Sequence, residues 1–318
     1  MKILVTGAAG FLGRRLLRAL SSGKAGFSEL SRIIAVDMFT CAVDDPRIEC
    51  RTGTIAESDF VRSILSHDVD LVFHLAAVVS GQAEADFDLG MRVNVDATRS
   101  LLEACRGVRN APRFVFSSSI AVFGGPLPEI VPEDLAVRPQ SSYGTAKAIG
   151  ELLVNEYGRR GFIDGIICRL PIVAVRPGTP NAAASSFVSG IIREPLAGLD
   201  TVCPVPLDTR LWISSPETAT NNLLHAARLA TSALGGVRAV NLPGLSVTPA
   251  EMIASLERLG GARARGRVRC ELDPDVTRIV STWPGAFDID RPLRLGFTAD
   301  RDIDSIVGQF IAEHTAPR

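Results

Sequence analysis

The sequence predicts an α/β fold, a doubly wound parallel sheet followed by a smaller C-terminal lobe. Three observations carry that expectation. Short Val/Ile/Leu runs alternate with helical stretches from the first residues onward. The runs are continuously apolar instead of alternating, so their strands are buried on both faces. After Pro171 the rhythm loosens into a Pro, Gly, Asn and Ser-rich stretch, "RPGTPNAAASSF".

The elements follow in order. "KILVTG" is an apolar run ending in a turn, and "FLGRRLLRALSS" has helical periodicity. "RIIAVD" is a buried strand that ends on an acid. "FVRSILSH" reads as helix and "VDLVFHLAA" as strand. "NVDATRSLLEACR" is helix, "RFVFSSS" strand, "YGTAKAIGELLVNEYGRR" a long helix and "DGIICRLPIV" strand. Beyond Pro171 come "FVSGIIREPLAG", "LWISSPETATNNLLHAARLA", "AVNLPG", "TPAEMIASLERLG" and "DIDSIVGQFIAEH". "ARARGRVR" alternates Arg263, Arg265, Arg267 and Arg269, as one solvated face of an edge strand would.

Bulk properties exclude several classes. The formal net charge of -1 argues against a general nucleic-acid binder, which needs a local excess of Lys and Arg. The six cysteines are scattered without a CxxC pair, as expected of reduced thiols in a cytoplasmic protein. The four histidines lack metal-ligand spacing, so no metal site is expected. No signal peptide or membrane-spanning run is expected either.

"TGAAGFLG" places Gly7, Gly10 and Gly13 between the first strand and the first helix. Such glycines allow a tight turn and close approach of backbone to a pyrophosphate, and the helix N-terminus offers free N–H groups. The Rossmann context, strand before and helix after, is the right one. Asp37 ends the second strand, where a carboxylate accepts from ribose hydroxyls and repels a 2′-phosphate. No Arg or Lys lies within the glycine loop or directly after Asp37, which favours NAD over NADP. The bland alternative for Asp37 is a turn acid. "HLAA", residues 74 to 77, ends a strand in small residues beside which a cofactor can lie, and His74 reads as a packed histidine.

Tyr143 and Lys147 sit at i and i+4, on one helix face. A cation beside a phenol lowers its pKa from about 10. The phenolate is then a general base for a hydroxyl whose carbon gives up hydride. The bland alternative is an amphipathic helix with a snorkelling lysine. "FSSS" supplies a serine hydroxyl at a strand's carboxyl end, where open parallel sheets bind ligands.

The glycine loop, "HLAA", "NVDAT", "FSSSIAVFG", "YGTAK" and "RLPIV", in this order, closely resemble the extended branch of the short-chain dehydrogenase/reductase superfamily, the epimerase/dehydratase group. The resemblance implies a Ser119, Tyr143 and Lys147 triad, with Tyr143 as base and Lys147 holding the nicotinamide ribose. It implies cofactor contacts from Gly7, Gly10, Phe11, Leu12, Gly13, Asp37, Ile55, Leu75, Ala76, Ala77, Asn94, Ser117, Tyr143, Lys147, Pro171 and Val173. Thr54 stands where the family usually has an Asp at the adenine, and Ile55 can still pack there. A homodimer through the long helices is implied too.

Residues 1–170 are therefore expected to form the NAD-binding domain and 171–318 a substrate-binding lobe, with part of 211–245 returning to the first domain. Expected substrate contacts are Ser80, Gln82, Ser119, Asn181, Ser185 and Arg210, with Gly81 and Ser186 beside them. Arg210 fits a diphosphate or a carboxylate, or it is a surface ion-pairing residue. "AAVVSGQAEADFDLGMRVN", "NEYGRRGFIDG" and "AASSFVSGIIREPLAG" resemble a narrower branch acting on four-carbon sugar acids. That implies oxidation of a C2 hydroxyl to a 2-oxo acid. A nucleotide-sugar epimerase with retained NAD and a non-catalytic dinucleotide sensor are the rivals.

Overall fold

A computed structural model describes every residue except 24, 28, 42, 66–67, 180–183 and 315–318. The first half alternates strand and helix: β1 (Lys2–Thr6), α1 (Phe11–Ser21), β2 (Arg32–Asp37), β3 (Ile48–Thr52), α2 (Ser58–Ile64) and β4 (Leu71–His74). Two short helices, α3 (Ser80–Ala85) and α4 (Phe87–Met91), lead through a π-turn at Arg92–Asp96 into α5 (Ala97–Arg106). Then come β5 (Arg113–Ser119), α6 (Ser142–Arg159), β6 (Asp164–Leu170) and β7 (Ile172–Val173).

The second half contains α7 (Ser186–Leu196), β8 (Thr201–Cys203), β9 (Leu211–Ser214), α8 (Pro216–Arg228), β10 (Ala239–Asn241), β11 (Leu245–Val247) and α9 (Pro249–Arg265). It closes with β12 (Val268–Cys270), α10 (Pro274–Val280), α11 (Asp290–Arg294) and α12 (Ile303–His314).

Seven parallel strands form the main sheet in the order β10-β6-β5-β4-β1-β2-β3. The chain winds one way from β1 and the other way from β4. A crevice therefore opens between the carboxyl ends of β1 and β4, the place where such sheets bind ligands. Both faces are covered. Leu16, Leu17 and Leu20 of α1 and Leu223, Leu224 and Ala226 of α8 pack on one face. Val61 and Ile64 of α2, Leu101 and Leu102 of α5 and Val154 of α6 pack on the other.

Residues 211–245 are divided between two sheets. β9 joins β7 and β11 in a three-stranded sheet, whereas β10 pairs with β6 at the edge of the main one. Arg113 at the start of β5 anchors α8 to the sheet: its Nη2 donates to the Leu229 carbonyl at 2.7 Å and its Nη1 to Asp164 at 2.8 Å. A cation there also suits the negative end of the helix. The remaining core gathers Val188, Ile191 and Ile192 of α7, Met252, Ile253 and Leu256 of α9 and Ile306, Val307 and Phe310 of α12.

Several details differ from the sequence reading, which named none of α3, α4, β8, α10 and α11. Strand β3 was not foreseen, because "IECRT" mixes polar and apolar residues at a sheet edge where burial is partial. "ARARGRVR" is not a strand face. Arg263 and Arg265 lie in the last turn of α9, and only Val268–Cys270 is extended. Arg267 and Arg269 both pair with Asp200, at 2.9 and 3.3 Å. All six cysteines are free thiols. No helix among the described residues is long and apolar enough to cross a membrane.

Candidate active site

Gly7 turns the chain out of β1 with φ of +72°, a value that L side chains rarely adopt. A Cβ there would meet Ala76 N at 2.7 Å, so the turn lies directly on the end of β4. A Cβ on Gly13 would fall 2.1 Å from Gly7 O, so α1 packs as close to the turn as backbone allows. The α1 N-terminus has no side-chain cap and no acid in its first turn. Its amides face a cavity of about 890 Å³.

That cavity is lined by nearly every residue expected to touch a cofactor: Gly7, Gly10, Phe11, Leu12, Gly13, Asp37, Ile55, Leu75, Ala76, Ala77, Ser117, Tyr143, Lys147, Pro171 and Val173. Asp37 is held in place by two amides, Ala9 N–H at 3.0 Å and Phe39 N–H at 3.1 Å. Its two oxygens keep spare lone pairs for ribose hydroxyls. Asp37→Ser is expected to raise the Kd for NAD roughly tenfold, since charge-assisted hydrogen bonds are lost. It should also narrow discrimination against NADP, and fluorescence titration with both cofactors reads both effects.

Asn94 does not line the cavity. It is buried behind it, where Oδ1 accepts from Val78 N–H at 2.8 Å and Nδ2 donates to Val78 O at 3.0 Å. Its side chain copies a strand's pairing and fixes the loop after β4, whose Val78 and Val79 do face the cavity. His74 is equally internal. Nε2 lies 2.9 Å from Thr98 Oγ1, whose hydroxyl donates to Asn94 O at 2.8 Å. Thr98 must therefore accept from Nε2–H, leaving Nδ1 to accept from Thr6 Oγ1 at 2.8 Å. Burial, helped by Lys147, holds the ring neutral by pushing its pKa down to about 3. His74 is a packed, hydrogen-bonded residue and not a catalyst.

The phenol and the ammonium come from α6. Ser141 caps the helix by accepting from Gly144 N–H at 3.1 Å. A Cβ on Gly144 would lie 2.1 Å from Ala121 O, so the helix start is pressed against the turn after β5. That turn carries Ser119, which lines the same cavity as Tyr143, accepts from Ala121 N–H at 3.1 Å and favours the ionised phenol. Lys147 is buried, with Nζ donating to Ser117 O at 2.7 Å and standing 5.6 Å from the Tyr143 ring centre.

The charge balance differs from the simple picture of an ammonium acting on a phenol. Burial raises the Tyr143 pKa, and the Arg176 guanidinium and Ser119 oppose it. Burial lowers Lys147 to about 8, partly offset by Glu151. Arg176, which the sequence reading passed over, is thus the cation acting on the phenol.

Of the expected substrate contacts, Gln82, Ser119 and Ser185 line the cavity, as does Ser186. Ser80 and Gly81 do not, although they belong to the same short helix as Gln82. Asn181 lies outside the described residues. Arg210 is exposed and packs its Cβ region against Gly285, away from the cavity wall. Arg176 and Arg193 occupy the wall instead. Among the described residues no group of three or more metal-ligating side chains gathers.

The cavity could hold a dinucleotide along the Gly7 turn and Asp37, and a hydroxyl compound beside Ser119 and Tyr143, all of which line it. Comparison with known proteins agrees. Residues 3–231 match the NAD dependent epimerase/dehydratase family. The chain is 50% identical to D-erythronate dehydrogenase of Cupriavidus necator over 98% of both chains. It is 43% identical to D-erythronate dehydrogenase of Haemophilus influenzae over 98% of this chain and 99% of the relative. A solved structure named as the nucleoside-diphosphate-sugar epimerase from Agrobacterium tumefaciens superposes with a TM-score of 0.94 at 40% identity, covering 99% of this chain and 94% of that one. With this pocket, these motifs and these relatives, the chain belongs to the NAD dependent epimerase/dehydratase family.

Proposed function

We propose that the protein oxidises the C2 hydroxyl of D-erythronate to a 2-oxo acid with NAD, by a Ser119, Tyr143 and Lys147 mechanism. The observation that carries this reading is the 50% identity to a D-erythronate dehydrogenase along 98% of both chains. The pocket supports it: the Gly7 turn and the uncapped α1 N-terminus suit a pyrophosphate, and Asp37 suits an unphosphorylated ribose.

NAD, when bound, supplies the hydride acceptor. The protein's own groups do the rest. Ser119 orients the substrate hydroxyl, and the Tyr143 oxygen takes its proton. Lys147 Nζ, fixed on Ser117 O in the cavity wall, would hold the nicotinamide ribose and add positive charge there. Burial of this region excludes water and strengthens each of these interactions. We also place the protein in the cytoplasm as a homodimer; Leu152, 67% exposed on α6, is an apolar residue for such a helix interface. Gel filtration with light scattering reads the oligomeric state.

The solved relative named as an epimerase supports a second reading, in which NAD stays bound and the hydride returns to its substrate. One assay separates the two. Purified protein mixed with D-erythronate and NAD should produce NADH continuously, one per substrate oxidised. No NADH, with NAD co-purifying in equal amount with the protein, would sink the dehydrogenase reading in favour of the epimerase.

A further inference from the structure

The cavity wall carries three cations, and two of them have anionic company. Lys147 lies near Glu151, which raises its pKa. Arg193 Nη2 pairs with Glu194 at 2.5 Å. Arg176 differs: among the described residues no carboxylate forms an ion pair with it, and its charge interacts with the Tyr143 phenol.

Its backbone is tightly fixed. Arg176 N–H donates to Ser189 Oγ at 3.0 Å, and Arg193 Nη1 donates to Arg176 O at 2.8 Å. Its own Nε donates to Val173 O at 2.9 Å, which sets the plane of the guanidinium. A guanidinium with much of its surface buried is costly without a facing anion, and among the described residues the Nε bond to Val173 O offsets only part of that desolvation. A fork of this kind matches a carboxylate bidentately.

We propose that Arg176 anchors the substrate carboxylate, so that it, and not Arg210, makes the site selective for hydroxy acids. The placement also explains regiochemistry. The carboxylate is C1 of a sugar acid, one bond from C2. An anchor beside Tyr143 brings the C2 hydroxyl to the phenol and keeps C3 and C4 away. This inference rests on the dehydrogenase reading for its substrate but not for its anion site.

The test compares wild type, Arg176→Lys and Arg176→Gln, each checked for an unchanged melting temperature and NAD affinity. With D-erythronate, Arg176→Gln should raise KM about 100-fold and Arg176→Lys about tenfold, with kcat altered much less. The wild type should prefer D-erythronate to its neutral amide, and Arg176→Gln should lose that preference. Tartronate, a small hydroxy dicarboxylate, should raise the melting temperature of the NAD-saturated wild type and not that of Arg176→Gln.

A tartronate shift absent from the wild type, or retained in Arg176→Gln, overturns the proposal. So does an equal loss of acid and amide turnover, which would mean that Arg176 serves only Tyr143. A wild type that fails to oxidise D-erythronate but shows the Arg176-dependent tartronate shift would sink the substrate assignment and leave the anion site standing.

Discussion

Tyr143→Phe is expected to lower kcat about 10³-fold while changing the Kd for NAD less than about twofold. The phenol ring fills the cavity wall either way, so shape is preserved and only the proton acceptor is lost. The pH profile should distinguish this from a general disturbance. Burial raises the phenol pKa in the free protein, so the proton is held through neutral pH. As pH rises, more phenolate forms and kcat/KM should climb. Residual activity of Tyr143→Phe should lack that climb. Steady-state NADH production across pH, with NAD binding measured in parallel, reads both. A variant that keeps more than about a tenth of wild-type kcat would remove Tyr143 from the role of base.

Glu151→Ala is expected to cost about 3–5 kcal/mol of folding stability. Glu151 and Arg169 are both buried and meet through two bonds, at 2.7 and 2.9 Å. Ser118 Oγ also donates to Glu151, at 2.6 Å, and Arg169 lies over the Phe123 ring at 4.8 Å. Removing the acid leaves a buried guanidinium whose remaining side-chain partners among the described residues are the Phe123 ring and a weaker 3.3 Å bond to Asn241 Oδ1. Replacing both members, Glu151→Leu with Arg169→Met, should recover most of the loss, because neither charge then stays buried alone. Urea unfolding of the three variants tests this. Glu151→Gln has a second readout. Glu151 supports the Lys147 ammonium, so without it the Lys147 pKa should fall below about 8. The pH at which the climb of activity levels off, as Lys147 loses its proton, should move lower.

Much of this was legible in the sequence where local chemistry and chain order decide. Gly10 and Gly13 announce themselves because backbone contacts only a few residues away demand them, as Gly13 against Gly7 shows, whereas the contact that demands Gly7 is with Ala76 across the sheet. Tyr143 and Lys147 share a helix face by spacing alone. What was hidden depends on long-range packing. Asn94 sits in a familiar stretch, yet only the fold shows that it grips Val78 behind the cavity. Arg210 and Arg176 look alike in sequence. One is left outside by packing on Gly285, and the other is turned inward by Val173 and Ser189. "VRPG" offered a signal, an arginine just after a buried run and just before a chain turn, but nothing in its spacing names a ligand.

The hydrogen bonds around His74 all run in one direction, from Ala76 N–H through Thr6, the imidazole and Thr98 to the Asn94 carbonyl. Such a chain looks like a wire, but both of its ends are peptide groups, which neither give nor accept a proton near neutral pH. It is a closed circuit that carries polarity and no protons. A proton taken up by Tyr143 could not be parked there. Its onward path has to run through groups outside that chain, and Lys147, whose Nζ stands 5.6 Å from the Tyr143 ring centre, is the titratable neighbour with a pKa, about 8, that suits passing it on.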